Sequence, residues 1–198
     1  MRGARPYFHP KSLVDDKKSV GRGTRVWAFA HVMKGALVGD DCNIGDHAFI
    51  ENGAHVGNRV TIKNGVSVWQ GVILEDDVFV GPNAVFTNDL FPVSRKAAKF
   101  LPTHVKRGTC VGANATLVCG ITLGEYAFIG AGSTVTRDVP DHALVYGNPA
   151  SVKSYLCRCR KKLTFSGGRA SCMCGCRYAK DSRHKVRVVH DECGQAGH

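Results

Sequence analysis

No stretch of the 198-residue sequence approaches the roughly 18 consecutive apolar residues that a membrane-spanning helix needs. The basic start, Met1-Arg2-Gly3-Ala4-Arg5-Pro6, is followed by no apolar segment of the kind that directs secretion. The expectation is a protein with no membrane partner and a cytoplasmic location. Acidic residues are few: 16 Asp and Glu stand against 27 Lys and Arg, a net charge of +11. Such an excess invites a nucleic-acid reading. Its placement argues against one, because residues 151–198 alone hold 11 Lys and Arg against 3 Asp and Glu and the rest of the chain is nearly balanced. A basic tail can bind RNA, a phosphorylated ligand or nothing, and nucleic acid is not the expected partner. Hydrophobic residues make up 43% of the chain, enough for a core and too many for wholesale disorder. With no secretion signal, nine cysteines point to metal ligation rather than to a disulfide framework.

Internal periodicity is the strongest signal present. Every sixth residue from Val14 is aliphatic: Val20, Val26, Val32, Val38, Ile44, Ile50, Val56, Ile62, Val68, Leu74, Val80, with Phe86 the next apolar member. The beat restarts at Val111 and runs through Leu117, Leu123, Ile129 and Val135, one residue out of phase. Four residues after the aliphatic position the side chain is usually small or β-branched, as at Ala30, Ala48, Val66 and Ala84. A period of six fits neither a helix nor a long strand. It fits a short strand plus a tight corner, repeated, with three units closing a triangular turn of about 18 residues that stacks on the next. The expected organisation is an N-terminal extension over 1–13, a β-helix over 14–150 with an excursion loop over 87–108, and a basic Cys-rich tail over 151–198. The coils should fold without the tail.

A turn of that length sorts the corners. One corner column reads Asp15, Met33, Glu51, Trp69, Thr87, and its neighbour Asp16, Lys34, Asn52, Gln70, Asn88. The other corners are mostly Gly-type, so a corner that carries Glu51, Asn52, Trp69, Gln70 and Asn88 instead, where the loop departs, suggests a ligand-binding wall. Solvated polar turns are the plainer alternative. A second polar column, Phe29, His47, Gly65 and Asn83, lies near His31. His31, His47 and His55 are candidate general bases for an amine attacking a thioester, although a lone exposed histidine is more often incidental.

The segment "CNIGDHAFIENGAHVGNRVTIKNGVSVWQGVILEDDVFVGPNAVFTNDLFPVSR", followed by "VKRGTCVGANATLVCGITLGEYAFIGAGSTVTRDVPDHALVYGNPA", resembles the hexapeptide-repeat sugar-nucleotide N-acetyltransferases. The resemblance implies an all-β, left-handed parallel β-helix. It implies an enzyme that moves acetyl from acetyl-CoA to the 3-amino group of a nucleotide-linked amino sugar, working as a homotrimer with active sites between subunits. "FTND" and "FPVSR" are similar to the branch acting on dTDP-3-amino-3,6-dideoxyhexoses. "VWAFAHV" and "GEYAF" are similar to the branch acting on UDP-2-acetamido-3-amino-glucuronate, and the first is favoured. No two histidines stand in the H-x4-H spacing of the γ-class carbonic anhydrases that share this fold. Outside that class, an acyltransferase on another acceptor and a non-catalytic scaffold with a partner-binding tail remain as alternatives.

By the resemblance, Asn88 matches an asparagine that contacts the sugar amine, with Asp89 beside it. Gly112-Ala113-Asn114 and Gly130-Ala131-Gly132 lie along the pantetheine arm. Asn148 and Pro149 of "GNPA", with Lys153, fall near the adenine and phosphate end. The tail, "CRCRKKLTFSGGRASCMCGCRY", resembles the zinc-ribbon appendage of some of these enzymes, with C-x-C spacings where C-x-x-C is usual. Cys157, Cys159, Cys172 and Cys174 are the expected ligands of one structural zinc, with Cys176 or Cys193 as substitutes.

Overall fold

In the computed structural model, which describes residues 4–96, 99–182 and 185–191, the six-residue beat becomes two-residue strands separated by tight turns. In an extended pair one side chain points out and the next points in. Asn43 therefore meets solvent while Ile44 is fully buried, and Thr61 and Ile62 repeat the arrangement. Arg25–Val26 pairs in parallel with Asn43–Ile44, and that strand with Thr61–Ile62, each step an offset of 18 residues.

Three faces result. Face 1 runs from Tyr7–Phe8 through Arg25–Val26, Asn43–Ile44, Thr61–Ile62, Phe79–Val80, Cys110–Val111 and Phe128–Ile129. Face 2 stacks Leu13–Val14, His31–Val32, Phe49–Ile50, Ser67–Val68, Val85–Phe86, Thr116–Leu117 and Thr134–Val135. Face 3 stacks Leu37–Val38, His55–Val56, Val72–Leu74, Thr103–Val105 and Thr122–Leu123. The inward aliphatic residues of all three faces meet in one core, where each fully buried Val, Ile or Leu contributes about 1.5–3 kcal/mol. This is the expected parallel β-helix.

The boundaries differ from expectation in three places. Residues 1–13 are not all extension: Tyr7–Phe8 pairs with Arg25–Val26, and Leu13–Val14 with His31–Val32. Phe8 lies six residues before Val14, so the beat reaches one unit further back than an aliphatic-only count finds. The excursion is also shorter than 87–108. Thr103–Val105 is back on face 3, with Ile73 paired to His104 across 31 residues, 13 more than one coil, and with Thr103 and Val105 buried. Val105 stands six before Val111 and already carries the new phase.

The third difference is the tail. Ala150–Leu156 folds back antiparallel on Ala143–Gly147, and Lys162–Leu163 pairs antiparallel with it, so face 1 continues past residue 150. Tyr155, Leu156, Cys157 and Leu163 are buried against the end of the helix. Removing 151–198 would strip the strand that covers Ala143–Gly147 and open a sheet edge, so the coils do not end independently of the tail. Beyond this hairpin, Arg169–Ser171, Arg177–Lys180 and Val186–His190 form a small antiparallel sheet.

Stacking at coil spacing sets a steric condition at the corners. A Cβ on Gly57 would lie 2.8 Å from the Asp76 amide nitrogen and the Glu75 carbonyl carbon of the next coil. Gly57→Ala is therefore expected to cost about 1–3 kcal/mol by overpacking, read by scanning calorimetry as a fall in Tm of roughly 2–10 °C. An unchanged Tm would show that neighbouring coils separate without cost at this corner.

Candidate active site

The corner between faces 2 and 3 holds the expected acceptor wall. Glu51 Oε2 accepts the Gln70 backbone N–H at 2.7 Å, and Trp69 Nε1 donates to the Phe86 carbonyl at 2.8 Å. The loop leaves directly afterwards. Its base is tied by the Leu101 N–H donating to the Asn88 carbonyl at 2.9 Å, and by the Cys119 N–H donating to Thr87 Oγ1 at 2.9 Å. Asn88 is half-buried, and its side-chain amide makes no hydrogen bond to a described residue. Asp89 uses its carboxylate to accept the Phe91 N–H at 2.9 Å, shaping the first turn of the loop. The structure thus brings Glu51, Asn52, Trp69, Gln70, Asn88 and Asp89 to one edge, and the side-chain amides of Asn52, Gln70 and Asn88 make no hydrogen bond to a described residue, Asn88 standing at the root of the loop.

The reason first suggested for this wall needs correcting. The corner has not given up its glycines: they stand one position later, at Gly35, Gly53, Gly71 and Gly120, all with φ between 76° and 88°. This edge has its left-handed residue at the third turn position. At the same position the other two edges mix glycines such as Gly23 and Gly65 with left-handed non-glycine residues such as His47, Asn83, Arg59 and Tyr126. The polar columns occupy ordinary turn positions, and part of their polarity serves the turns: Glu51 caps Gln70, as Asp15 Oδ2 caps the Lys34 N–H at 3.0 Å.

The candidate histidines separate. His31 projects from face 2, with Nε2 3.3 Å from Asp15 Oδ1. Its ring meets Phe49 edge-on at 5.5 Å, and Phe49 lies 5.6 Å from Trp69, so an aromatic row joins His31 to the wall. His47 lies on the opposite edge of face 2, exposed and stacked on Phe29 at 4.9 Å. His55 projects from face 3. His104, which sequence reading passed over, pairs with Glu75 at 2.7 Å on face 3, directly after the loop returns. The signal was the Val105–Val111 spacing, which makes His104 the outward residue of a strand.

The residues matched to the pantetheine arm share the edge of His47. A Cβ on Gly112 would sit 2.5 Å from the Ala131 amide nitrogen, so Gly112-Ala113 and Gly130-Ala131 stack in successive coils. Asn148 and Pro149 form the exposed turn of the terminal hairpin, whose Tyr146 packs on Gly130. Lys153 lies over the Tyr146 ring at 5.2 Å. One edge therefore leads from the hairpin turn to the GAN and GAG corners.

In the tail, the sulfurs of Cys157, Cys159, Cys172 and Cys174 all lie within 4.8 Å of one another, with Cys157–Cys174 at 3.3 Å and Cys159–Cys172 at 3.4 Å. Each C-x-C pair sits on a tight turn closed by a left-handed residue, Arg160 or Gly175. The Cys176 N–H bonded to its sulfur draws the Cys174 thiol down to about 6, while burial pushes the Cys157 thiol up. Four thiols gathered at this distance fit tetrahedral thiolate coordination. Cys176 is turned away toward Asp191, and Cys193 lies outside the described residues. Arg160 fastens the knuckle to the helix by donating to the Gly108 carbonyl at 2.7 Å and the Tyr126 carbonyl at 3.2 Å. Buried His142 packs between the rings of Tyr126 and Tyr178, at 5.4 and 5.0 Å, and burial lowers its pKa. No helix among the described residues is long and apolar enough to cross a membrane.

Comparison with known proteins gives this geometry its relatives. The family described as bacterial transferase hexapeptide (six repeats) matches residues 17–52, and that described as hexapeptide repeat of succinyl-transferase matches 36–70 and 105–137. The dTDP-3-amino-3,6-dideoxy-alpha-D-galactopyranose 3-N-acetyltransferase of Aneurinibacillus thermoaerophilus is 57% identical over 173 residues, covering 87% of this chain and 90% of that protein. Among solved structures, a hexapeptide-repeat acetyltransferase of Vibrio cholerae complexed with acetyl coenzyme A superposes with TM-score 0.54 at 21% identity, covering 61% of this chain and 70% of that one. The acetyltransferase domain of PglB from Neisseria gonorrhoeae gives 0.53 at 21% identity, covering 76% of this chain and 58% of that one. These two likenesses speak for the fold alone. With the repeat, the coil geometry and an identity of 57% across nearly the whole of both chains, this protein belongs to the hexapeptide-repeat sugar-nucleotide N-acetyltransferases, enzymes built on the left-handed β-helix.

Proposed function

We propose that the chain transfers the acetyl group of acetyl-CoA to the 3-amino group of a dTDP-linked 3-amino-3,6-dideoxyhexose. The observation that carries this is the 57% identity to an enzyme named for that reaction on the galacto sugar. In the reaction the neutral amine attacks the thioester carbonyl, a C–N bond forms, and collapse of the tetrahedral intermediate breaks the C–S bond. The amine proton ends on the released CoA sulfur, so no net base is consumed. The Asn88 amide carbonyl is free to accept one amine N–H and aim the lone pair, and orientation of this kind supplies much of an acyl-transfer rate. Glu51, Asn52, Trp69, Gln70 and Asp89 wall the acceptor, and Gly112, Ala113, Gly130, Ala131, Asn148, Pro149 and Lys153 line the path of CoA. His31, held by Asp15, and His47 are the alternative proton acceptors.

The test offers the dTDP-3-amino-3,6-dideoxygalactose and the UDP-2-acetamido-3-amino-glucuronate side by side with acetyl-CoA. The dTDP sugar is expected to give the higher kcat/KM by at least tenfold. Preference for the uronate, or no turnover of either, would refute the assignment.

The assembly is proposed to be a homotrimer. The loop carries Phe91 at 85% exposure, with Val93 and Phe100 also exposed, an apolar surface that a neighbouring chain would cover. Light scattering is expected to give three times the 21.3 kDa chain mass. An active monomer at micromolar concentration would contradict it. The four tail thiols are proposed to hold one structural zinc, which would lock the knuckle that Arg160 fastens to the coils.

A further inference from the structure

The small tail sheet has two unlike faces. On one, Ala170, Tyr178 and Val186 are buried. On the other, Arg169, Arg177 and Arg187 are all exposed. Arg169 pairs with Ala179 and Ala179 with Arg187, so two arginines on the outer strands flank a small residue on the central one. At a strand spacing of roughly 4.8 Å their backbones stand about 10 Å apart. Arg177 stands two positions along the central strand, opposite Ser171. Ala179 and Ser171 leave a concave floor, and the groove between the arginines encloses about 700 Å³. No acidic side chain among the described residues lines it.

The charges there are not neutralised by the described residues. None of the three guanidiniums makes an ion pair with a described residue. The tail's described carboxylates are engaged elsewhere: Asp191 with Arg158 and the Cys176 thiol, and Asp181 with the Lys185 N–H. Three cations around one small floor repel each other and add nothing to folding, whereas a guanidinium fork matches a phosphate bidentately.

We propose that this groove is a second anion site, outside the acetyl-transfer edges, that binds the diphosphate group of a nucleotide ligand. Arginines on both outer strands suit two linked phosphates lying across the sheet. Tyr178 is buried beneath the floor, and His190 is the one exposed ring among the described lining residues, short of the row of stacking rings that a single strand uses, which favours a small diphosphate over single-stranded nucleic acid. Both co-substrates proposed above carry a diphosphate, so the source is CoA or the dTDP sugar. Inorganic pyrophosphate tests the groove without depending on that assignment.

The measurement is calorimetric titration of the full-length, metal-loaded protein with inorganic pyrophosphate at low ionic strength, against the Arg169→Ala/Arg187→Ala double variant. The variant is expected to bind pyrophosphate at least tenfold more weakly, with circular dichroism, Tm and turnover at saturating substrates unchanged. Arg177→Ala alone should give a smaller loss in the same direction. Displacement of bound pyrophosphate by dTDP or by CoA, whichever competes at lower concentration, identifies the source. Equal affinity in the wild type and the double variant, or no pyrophosphate binding up to millimolar concentration, would overturn the proposal. So would displacement by a dT10 oligonucleotide at lower concentration than either nucleotide, which would assign the groove to nucleic acid.

Discussion

Asn88→Ala is expected to lower kcat/KM on the preferred sugar by roughly 100-fold or more, about 2.7 kcal/mol of transition-state stabilisation. The position supports an effect of this size. Asn88 is held at the root of the loop by its own carbonyl, through the Leu101 N–H, while its side-chain amide is spent on no described residue. Truncation therefore removes a polar group without breaking a hydrogen bond to a described residue, and Tm and oligomeric mass should stay within error. Three histidine variants make the comparison. A loss of similar size in His31→Gln, whose ring is 3.3 Å from Asp15, would place a general base on face 2. In His104→Gln, which breaks a 2.7 Å pair with Glu75, it would place one on face 3. In His47→Gln it would place one on the edge proposed for CoA. Unaltered kinetics in Asn88→Ala would remove this residue from the mechanism, whatever the histidines do.

The second large effect is expected in the tail. Zinc analysis of protein purified without a metal-binding tag should find about one zinc per chain. Cys159→Ser should abolish it and lower Tm by about 5 °C or more. Cys159 is the exposed member of the four, so serine there costs little packing, and a fall in Tm reports loss of the metal. The fall reaches the β-helix because the knuckle is part of its end. Cys157 is fully buried, Tyr178 donates its hydroxyl to the Cys157 sulfur at 3.1 Å, and Arg160 holds two corner carbonyls. Wild-type protein that carries no zinc as purified, and whose Tm Cys159→Ser leaves unchanged, would show that the thiols gather without a metal.

Much of the fold was legible because a β-helix is written locally. One inward aliphatic residue per six, with a small residue at the corner, satisfies every coil in the same way. The periodicity alone therefore predicted the strands, the 18-residue turn and the corner on which Asn52, Gln70 and Asn88 stand. Resemblance in "FTND" and "GNPA" then pointed to the chemistry and to the edge that carries Gly112 and Gly130. Reading faltered where the beat was counted on aliphatic residues only. Phe8 and Val105 keep the period, and overlooking them misplaced both the start of the helix and the return of the loop, and hid the His104–Glu75 pair.

What the sequence by itself determined was the repeat, the face on which each side chain lies and the supply of thiols and arginines in the tail. Only the tertiary structure decided which of them meet. His31 and His47 are 16 residues apart and lie on different parts of the coil, whereas Ile73 and His104, separated by the loop, are paired. The four sulfurs converge through the antiparallel return of Ala150–Leu156, and the arginines share a face through the register of Arg169 and Arg187 on Ala179. Strand orientation after Gly147, and the closure of turns on non-neighbouring carbonyls, depend on contacts between distant segments. No period in the chain encodes those contacts, because their energy exists only once the coils have stacked.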